Sequence, residues 1–295
     1  MKLLSDFDGV WTDPVAEARV QGVRLDEALV ACVPEGGADA ARAWIARARS
    51  VAAAEPGRWG WANAGRISAF GDEDAFAAHS ALLHWIAAHV GEDPLAAALV
   101  AGAIAREGSL ETLGVRAHLA AVASVEATRG PGVLAGAVAA GRTLLAAGAE
   151  IVVVSNSTGE KLARWFAHAG LPHTTHPRRE PGALRLRGDA RKHVLDPGGA
   201  RPFELGGLAI DVARPHYEAI LREEAPDAIV GDVVSLDLAL PLWLRRHEPS
   251  WRDVRLFWLV NAETPARLRR AFAHGAPGIE PLEDGLAGVA RALTR

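Results

Sequence analysis

The chain has 295 residues, 49% of them hydrophobic and 23% charged, with a formal net charge of -4 and a single cysteine, Cys32. That balance belongs to an ordinary globular protein; it excludes a basic footprint for nucleic acid or anionic lipid, and an internal disulfide framework. Lys2 is not followed by the run of roughly 7–15 apolar residues that a secretory signal needs, and Arg142 and Glu150 interrupt the most apolar stretch, so a cytoplasmic protein with neither nucleic-acid nor membrane partners is expected.

KLLSD at 2–6 reads as a short strand ending in carboxylates. From about 38 to 127 the spacing turns helical: 38–54 is one helix, and in 73–90 the residues Phe76, Leu83, Ile86 and Val90 mark one face. Asp93-Pro94 and Ser109 read as helix starts, and Gly-Pro-Gly at 130–132 as a break. Beyond it, helix and strand alternate. A helix over 133–147 leads to EIVVVSN, a continuous apolar strand with a polar tip, and a helix over 160–169 follows. Residues 184–195 alternate about Gly188-Asp189, which predicts a hairpin. GLAIDVA, DAIVGD and VRLFWLV are further strands, separated by helices from Pro215 and Leu236, with closing helices after Pro265 and from Leu286.

Apolar strands alternating with helices predict an α/β fold, a Rossmann-like parallel sheet covered on both faces. The helical block interrupts it. The expected organisation is therefore a discontinuous core of 1–16 and 130–295, with an all-α inserted domain over 17–129.

Ligands of open parallel sheets bind beyond the carboxyl ends of the strands. Standing there are Asp6-Phe7-Asp8-Gly9, Ser155-Asn156, Arg214-Pro215 and Gly231-Asp232, with Asp237 five positions after Asp232. DFDGVWTD resembles the DxDGxxTD signature of haloacid-dehalogenase-like phosphohydrolases. VVVSNS resembles their second motif, GDVVSLD their GDxxxxD motif, and a helical insertion after the first motif resembles their cap domain. The resemblance covers about three fifths of the chain.

It implies a phosphatase, dependent on Mg²⁺, acting on the phosphomonoester of a small phosphorylated metabolite through an aspartyl phosphate. An ionised Asp6 would attack phosphorus, and Asp8 would carry the proton of the leaving alcohol and then of the water. Asp6, Asp232 and the Asp8 carbonyl would hold the metal, Asp237 would act from its outer shell, and Ser155 and Asn156 would bind phosphoryl oxygens. The family's third motif is a lysine before a helix. Arg214, eighteen residues before Asp232, is assigned that place, with Lys192 as its rival for the phosphate. A sugar phosphomutase uses the same residues, and a non-catalytic binding protein could keep the same fold.

Other polar features need no chemistry. A calcium loop counted from Asp6 puts Val10 and Trp11 where an acidic residue and glycine belong. His79, His84 and His89 lie five apart, which scatters them around a helix as surface or boundary residues. His173 and His176 fall in a polar loop without other metal ligands. Trp59, Trp61, Asn63 and Arg66 are candidates for a substrate-facing surface, although tryptophans beside a helix boundary more often anchor packing.

Overall fold

A computed structural model describes residues 1–63, 65–178, 180–262, 264–272 and 278–294. The chain forms two compact units, residues 1–13 with 131–295 and residues 14–130. After β1 (Lys2–Ser5), the second unit runs α1 (Val15–Val30), α2 (Ala38–Ala54), β2 (Gly60–Asn63), β3 (Arg66–Phe70), α3 (Ala75–Ala88), α4 (Pro94–Glu107) and α5 (Leu110–Arg129). Asp93 caps α4 by accepting the Leu95 N–H at 2.8 Å, and Ser109 caps α5 by accepting the Thr112 N–H at 3.0 Å.

This unit departs from an all-α reading, because β2 and β3 pair as an antiparallel hairpin. α1 is not marked in the sequence by an apolar stripe, because its buried side includes Glu17 and Gln21. On α3 the buried face carries Leu82, Trp85 and Ile86, whereas Val90 is exposed. His79 is buried rather than peripheral. Trp59 is buried too and packs edge-on against His84 and Trp85, with ring centroids 5.2 and 6.5 Å away, as an anchor of this unit's core.

The first unit resumes with α6 (Ala135–Ala146), β4 (Glu150–Val154), α7 (Gly159–His168), β5 (His173–Thr174), β6 (Leu184–Arg187), β7 (Pro202–Leu205), β8 (Leu208–Asp211), α8 (Pro215–Glu224) and β9 (Ala228–Gly231). A π turn over Val234–Leu238 leads into α9 (Ala239–His247), followed by β10 (Arg255–Leu259), α10 (Ala266–Phe272), β11 (Glu280–Leu282) and α11 (Gly285–Leu293). Seven strands form a parallel sheet in the order β11-β10-β9-β1-β4-β6-β5. The fold is α/β and Rossmann-like. Leu3, Ile151, Val153 and Val230 meet side chains of α6, α7 and α11, while Leu4, Val152 and Ile229, pointing the other way, are equally buried.

β1 is central, with β4 on one side and β9 on the other. The chain builds one half of the sheet and then crosses β1 to build the other. Asp6, Ser155 and Asp232 therefore leave adjacent strand ends at a topological switch point.

Two sequence expectations fail in this unit. The hairpin is not at 184–195 but between β7 and β8, which pair antiparallel outside the main sheet and turn at Gly206-Gly207. β6 belongs to the parallel sheet. Gly188 follows it because the loop passes against α7: a Cβ there would lie 2.1 Å from the Gly159 nitrogen. His173 likewise lies in edge strand β5, not in a loop.

Glu224, at the end of α8, ties helix to sheet. Its carboxylate meets Arg185 and Arg187 of β6 and Lys2 of β1, and Glu150 of β4 shares Arg185 and Lys2. Burial works to raise the Glu224 carboxyl, but the two guanidiniums outweigh it and hold it below the usual carboxylate range. Its contribution to stability is present above the unfolded carboxylate pKa of about 4.3 and is lost as pH falls through the depressed folded value. Glu224→Ala is expected to cost about 3–5 kcal/mol in urea unfolding at pH 7, with the gap to wild type narrowing on acidification; a gap that is the same at pH 7 and pH 3 would contradict this.

Candidate functional site

The Asp6 N–H donates to the Val230 carbonyl at 2.9 Å, continuing the sheet one residue beyond β1. Ser5 Oγ donates to the Asp6 carbonyl at 2.7 Å and accepts from Trp11 Nε1 at 2.8 Å, so the exit from the strand is pinned from inside. Phe7 anchors it further, edge-on to Trp165 and Phe166.

Two glycines make room for carboxylates. Gly9 has φ +75°, and a Cβ there would fall 1.8 Å from Asp232 Oδ2. A Cβ on Gly231 would stand 2.4 Å from that of Asp237. Both positions exclude side chains because an aspartate occupies the space. Asp237 sits on the π turn, where its Oδ2 accepts the Val233 N–H at 3.3 Å, and Tyr217 donates to its carbonyl at 2.9 Å.

The structure brings Asp6, Asp232 and Asp237 together, one carboxylate oxygen of each lying within 4.8 Å of the others. Lys192 enters this cluster. Its Nζ donates to Asp6 Oδ1 at 2.6 Å and to Asp237 Oδ1 at 2.7 Å, and it is almost fully buried. The loop that delivers it is laced to the end of β4: the Asp189 N–H donates to Ser157 O, the Ala190 N–H to Ser155 O and the Lys192 N–H to Asn156 Oδ1. Asp189 and Arg191 take positive φ values of 54° and 49° on the way.

Arg214 does not fill this position. It is fully buried, but its guanidinium donates to the main-chain carbonyls of Leu236 at 2.7 Å and Asp211 at 3.3 Å. It braces the turn that carries Asp237. The lysine-like cation at the carboxylates is Lys192, placed by a loop whose positive φ values imitate a hairpin turn in the sequence.

Asp8 stands apart from the carboxylate cluster. Its Oδ2 accepts from Ser157 Oγ at 3.1 Å, and Oδ1 lies 3.7 Å from Lys161 Nζ. Lys161 is buried, with its ammonium 5.0 Å from the centroid of the Trp165 ring. Ser155 Oγ accepts the Ser157 N–H at 3.0 Å, which leaves its own proton to donate. Asn156 accepts through Oδ1 and keeps its amide donors. Lys161, Ser157 and Tyr217 were not singled out from the sequence. Lys161 carried one signal: the chain has only three lysines, Lys2, Lys161 and Lys192.

Burial, then the Asp237 charge, pushes the Asp6 carboxyl up to about 8 against the opposing pull of Lys192. Burial would strip the Lys192 proton, but Asp237 and Asp6 hold it above the ordinary lysine range. Burial also raises Tyr217. Three carboxylates around one ammonium leave surplus negative charge, and all their donors are hard oxygens. That set fits a small divalent cation.

No family model matches the chain, and no curated protein does. A solved structure is similar. It is a 2-haloacid dehalogenase from Pseudomonas syringae pv. Tomato DC3000, with a TM-score of 0.42 and 11% identity, covering 100% of this chain and 98% of that one. No described helix is long and apolar enough to cross a membrane.

Millimolar Mg²⁺ is expected to raise the melting temperature, and Asp232→Asn to remove that rise. An equal rise in the variant would place the ion elsewhere.

Proposed function

We propose that the protein is a Mg²⁺-dependent phosphatase of the haloacid-dehalogenase type, hydrolysing the phosphomonoester of a small metabolite through an aspartyl phosphate on Asp6. The observation that carries this reading is the buried Lys192 bridging Asp6 and Asp237 beside Asp232. Asp6, Asp232 and Asp237 would hold the ion, which supplies positive charge against the phosphate dianion.

Lys192 fixes one oxygen of Asp6 and, together with the positive charge a bound ion would add, favours the ionised carboxylate whose other oxygen attacks phosphorus. As the new P–O bond forms, the bond to the substrate oxygen breaks, and Asp8 gives that oxygen its proton. Water then attacks the same phosphorus, Asp8 takes the proton back, and Asp6 is released with inorganic phosphate. Ser155 and the Asn156 amide are donors for the equatorial oxygens. Arg214 would act on this chemistry through the turn it braces.

Asp8 also separates this reaction from dehalogenation. A halide leaves as a stable anion, whereas an alkoxide needs a proton, which Asp8, positioned by Ser157 and Lys161, would supply. With p-nitrophenyl phosphate, turnover is expected to require Mg²⁺ and to fall to background in Asp6→Asn; equal turnover in the variant would refute the nucleophile, and chloride release from 2-chloropropionate in place of phosphate release would refute the reaction class.

Lys192→Ala is expected to abolish turnover. Arg214→Lys, which keeps a donor to the turn, retains it in part. The reverse order of losses would return the role to Arg214.

A further inference from the structure

The inserted unit, residues 14–130, holds a cavity of about 290 Å³ between the first turns of α1, the second half of α2 and the start of α3. Ala18, Ala78, Ala81 and Gly71 form much of its lining. The lining is kept small by packing: a Cβ on Gly71 would come within 2.7 Å of that of Ala81 and 3.0 Å of the Trp59 carbonyl. The volume has room for on the order of ten non-hydrogen atoms, at the roughly 30 Å³ each that water occupies. That suits one ring or one branched chain.

The polar groups on this apolar surface are Arg19, Arg49 and His79. His79 is locked in place. Its Nε2 donates to the Ala18 carbonyl at 2.7 Å, and its Nδ1 accepts from Arg49 at 3.0 Å. Its ring also lies against α1 at Gly22, where a Cβ would approach Cε1 to 2.9 Å. Burial and the Arg49 charge hold the imidazole below its usual range, so it adds no charge at neutral pH. Arg49 is answered by Asp26. Arg19 is exposed and makes no hydrogen bond or ion pair among the described residues, so the lining carries one cation that nothing described here answers.

We propose that this cavity binds a compact organic monoanion, its aromatic or branched aliphatic body in the alanine-lined hollow and its carboxylate on Arg19. The apolar walls supply burial without a competing polar partner, and a planar guanidinium pairs with a carboxylate through two parallel hydrogen bonds. The fixed Arg49–His79 pair keeps that side of the hollow from refilling with a mobile side chain. All of this rests on residues of one unit, so it stands or falls independently of the phosphatase chemistry.

The test is calorimetric titration of the full chain with benzoate, benzamide and acetate. Benzoate is expected to bind saturably; benzamide, which loses the charge-assisted contact, and acetate, which loses the buried body, are each expected to bind at least about tenfold more weakly. Arg19→Gln, on the surface, should weaken benzoate about tenfold and leave benzamide unchanged. Ala78→Leu should fill the hollow and abolish benzoate binding. Absence of saturable benzoate binding, equal affinity for benzamide, or wild-type affinity in Arg19→Gln would each overturn the site. A folded Ala78→Leu protein that binds benzoate normally would do the same, and should that variant not fold, Arg19→Gln decides alone.

Discussion

A lysine ammonium held between two aspartates governs the arrangement of the sheet-bearing unit. Burying Lys192 costs several kcal/mol of lost hydration, which only close, well-aligned counter-charges can offset. Asp6 and Asp237 supply them at 2.6 and 2.7 Å. Each partner then needs its own support. Asp6 is fixed by the strand pairing that continues past β1, Asp237 by a π turn braced by Arg214 and Tyr217, and Lys192 by a loop laced to Ser155, Asn156 and Ser157. Three segments far apart in sequence thus meet at one ammonium. The glycines at 9 and 231 follow from the same demand, since a methyl group at either would displace an aspartate.

What the sequence disclosed, and what it concealed, divides along local and non-local lines. The Asp-x-Asp-Gly stretch, the Gly-Asp pair with its second aspartate, and the Ser-Asn strand tip are short patterns, and the central sheet order brings all three to neighbouring strand ends. The caps at Asp93 and Ser109 are equally local. Lys192 could be kept only as a rival to Arg214, because its position depends on a loop whose non-glycine residues adopt positive φ under tertiary hydrogen bonds. Arg214 looked suitable because it precedes a proline and a helix, but the strand before it, β8, pairs only with β7 and lies outside the main sheet. α1 hid behind buried polar residues, and the β2–β3 hairpin behind two tryptophans in a helical neighbourhood.

The insertion is accommodated by closing the core around it. Thr12 and Val133 form an isolated antiparallel bridge, and the Leu134 N–H donates to the Trp11 carbonyl at 2.8 Å, so the outgoing and returning chains are pinned to each other within the sheet-bearing unit. More than a hundred residues can then intervene with little entropic penalty to the sheet, because the cost of closing a loop grows only logarithmically with its length. The inserted unit has its own apolar cluster, built on Leu25, Leu29, Trp44, Leu82 and Leu99. Such an arrangement allows the inserted unit to change its lining without disturbing the carboxylates.

The two aspartates of the first motif end in different surroundings although one residue separates them. Asp6 continues the strand, faces Lys192 and is 11% exposed, while Asp8 follows the chain out of the sheet, meets Ser157 and Lys161 and is 28% exposed. The reaction we propose needs that separation between its nucleophile and its proton carrier. A nucleophile gains from being dry and rigid beside a counter-charge, whereas a proton carrier must reach both the leaving oxygen and the water that replaces it. Lys161 of α7 meets the Asp8 carboxylate and Lys192 meets Asp6, so each aspartate has a cation beside it. In a chain with three lysines, two of them stand beside this pair of carboxylates and the third beside the Glu224 tie at the sheet, so every lysine marks a place where this unit concentrates negative charge.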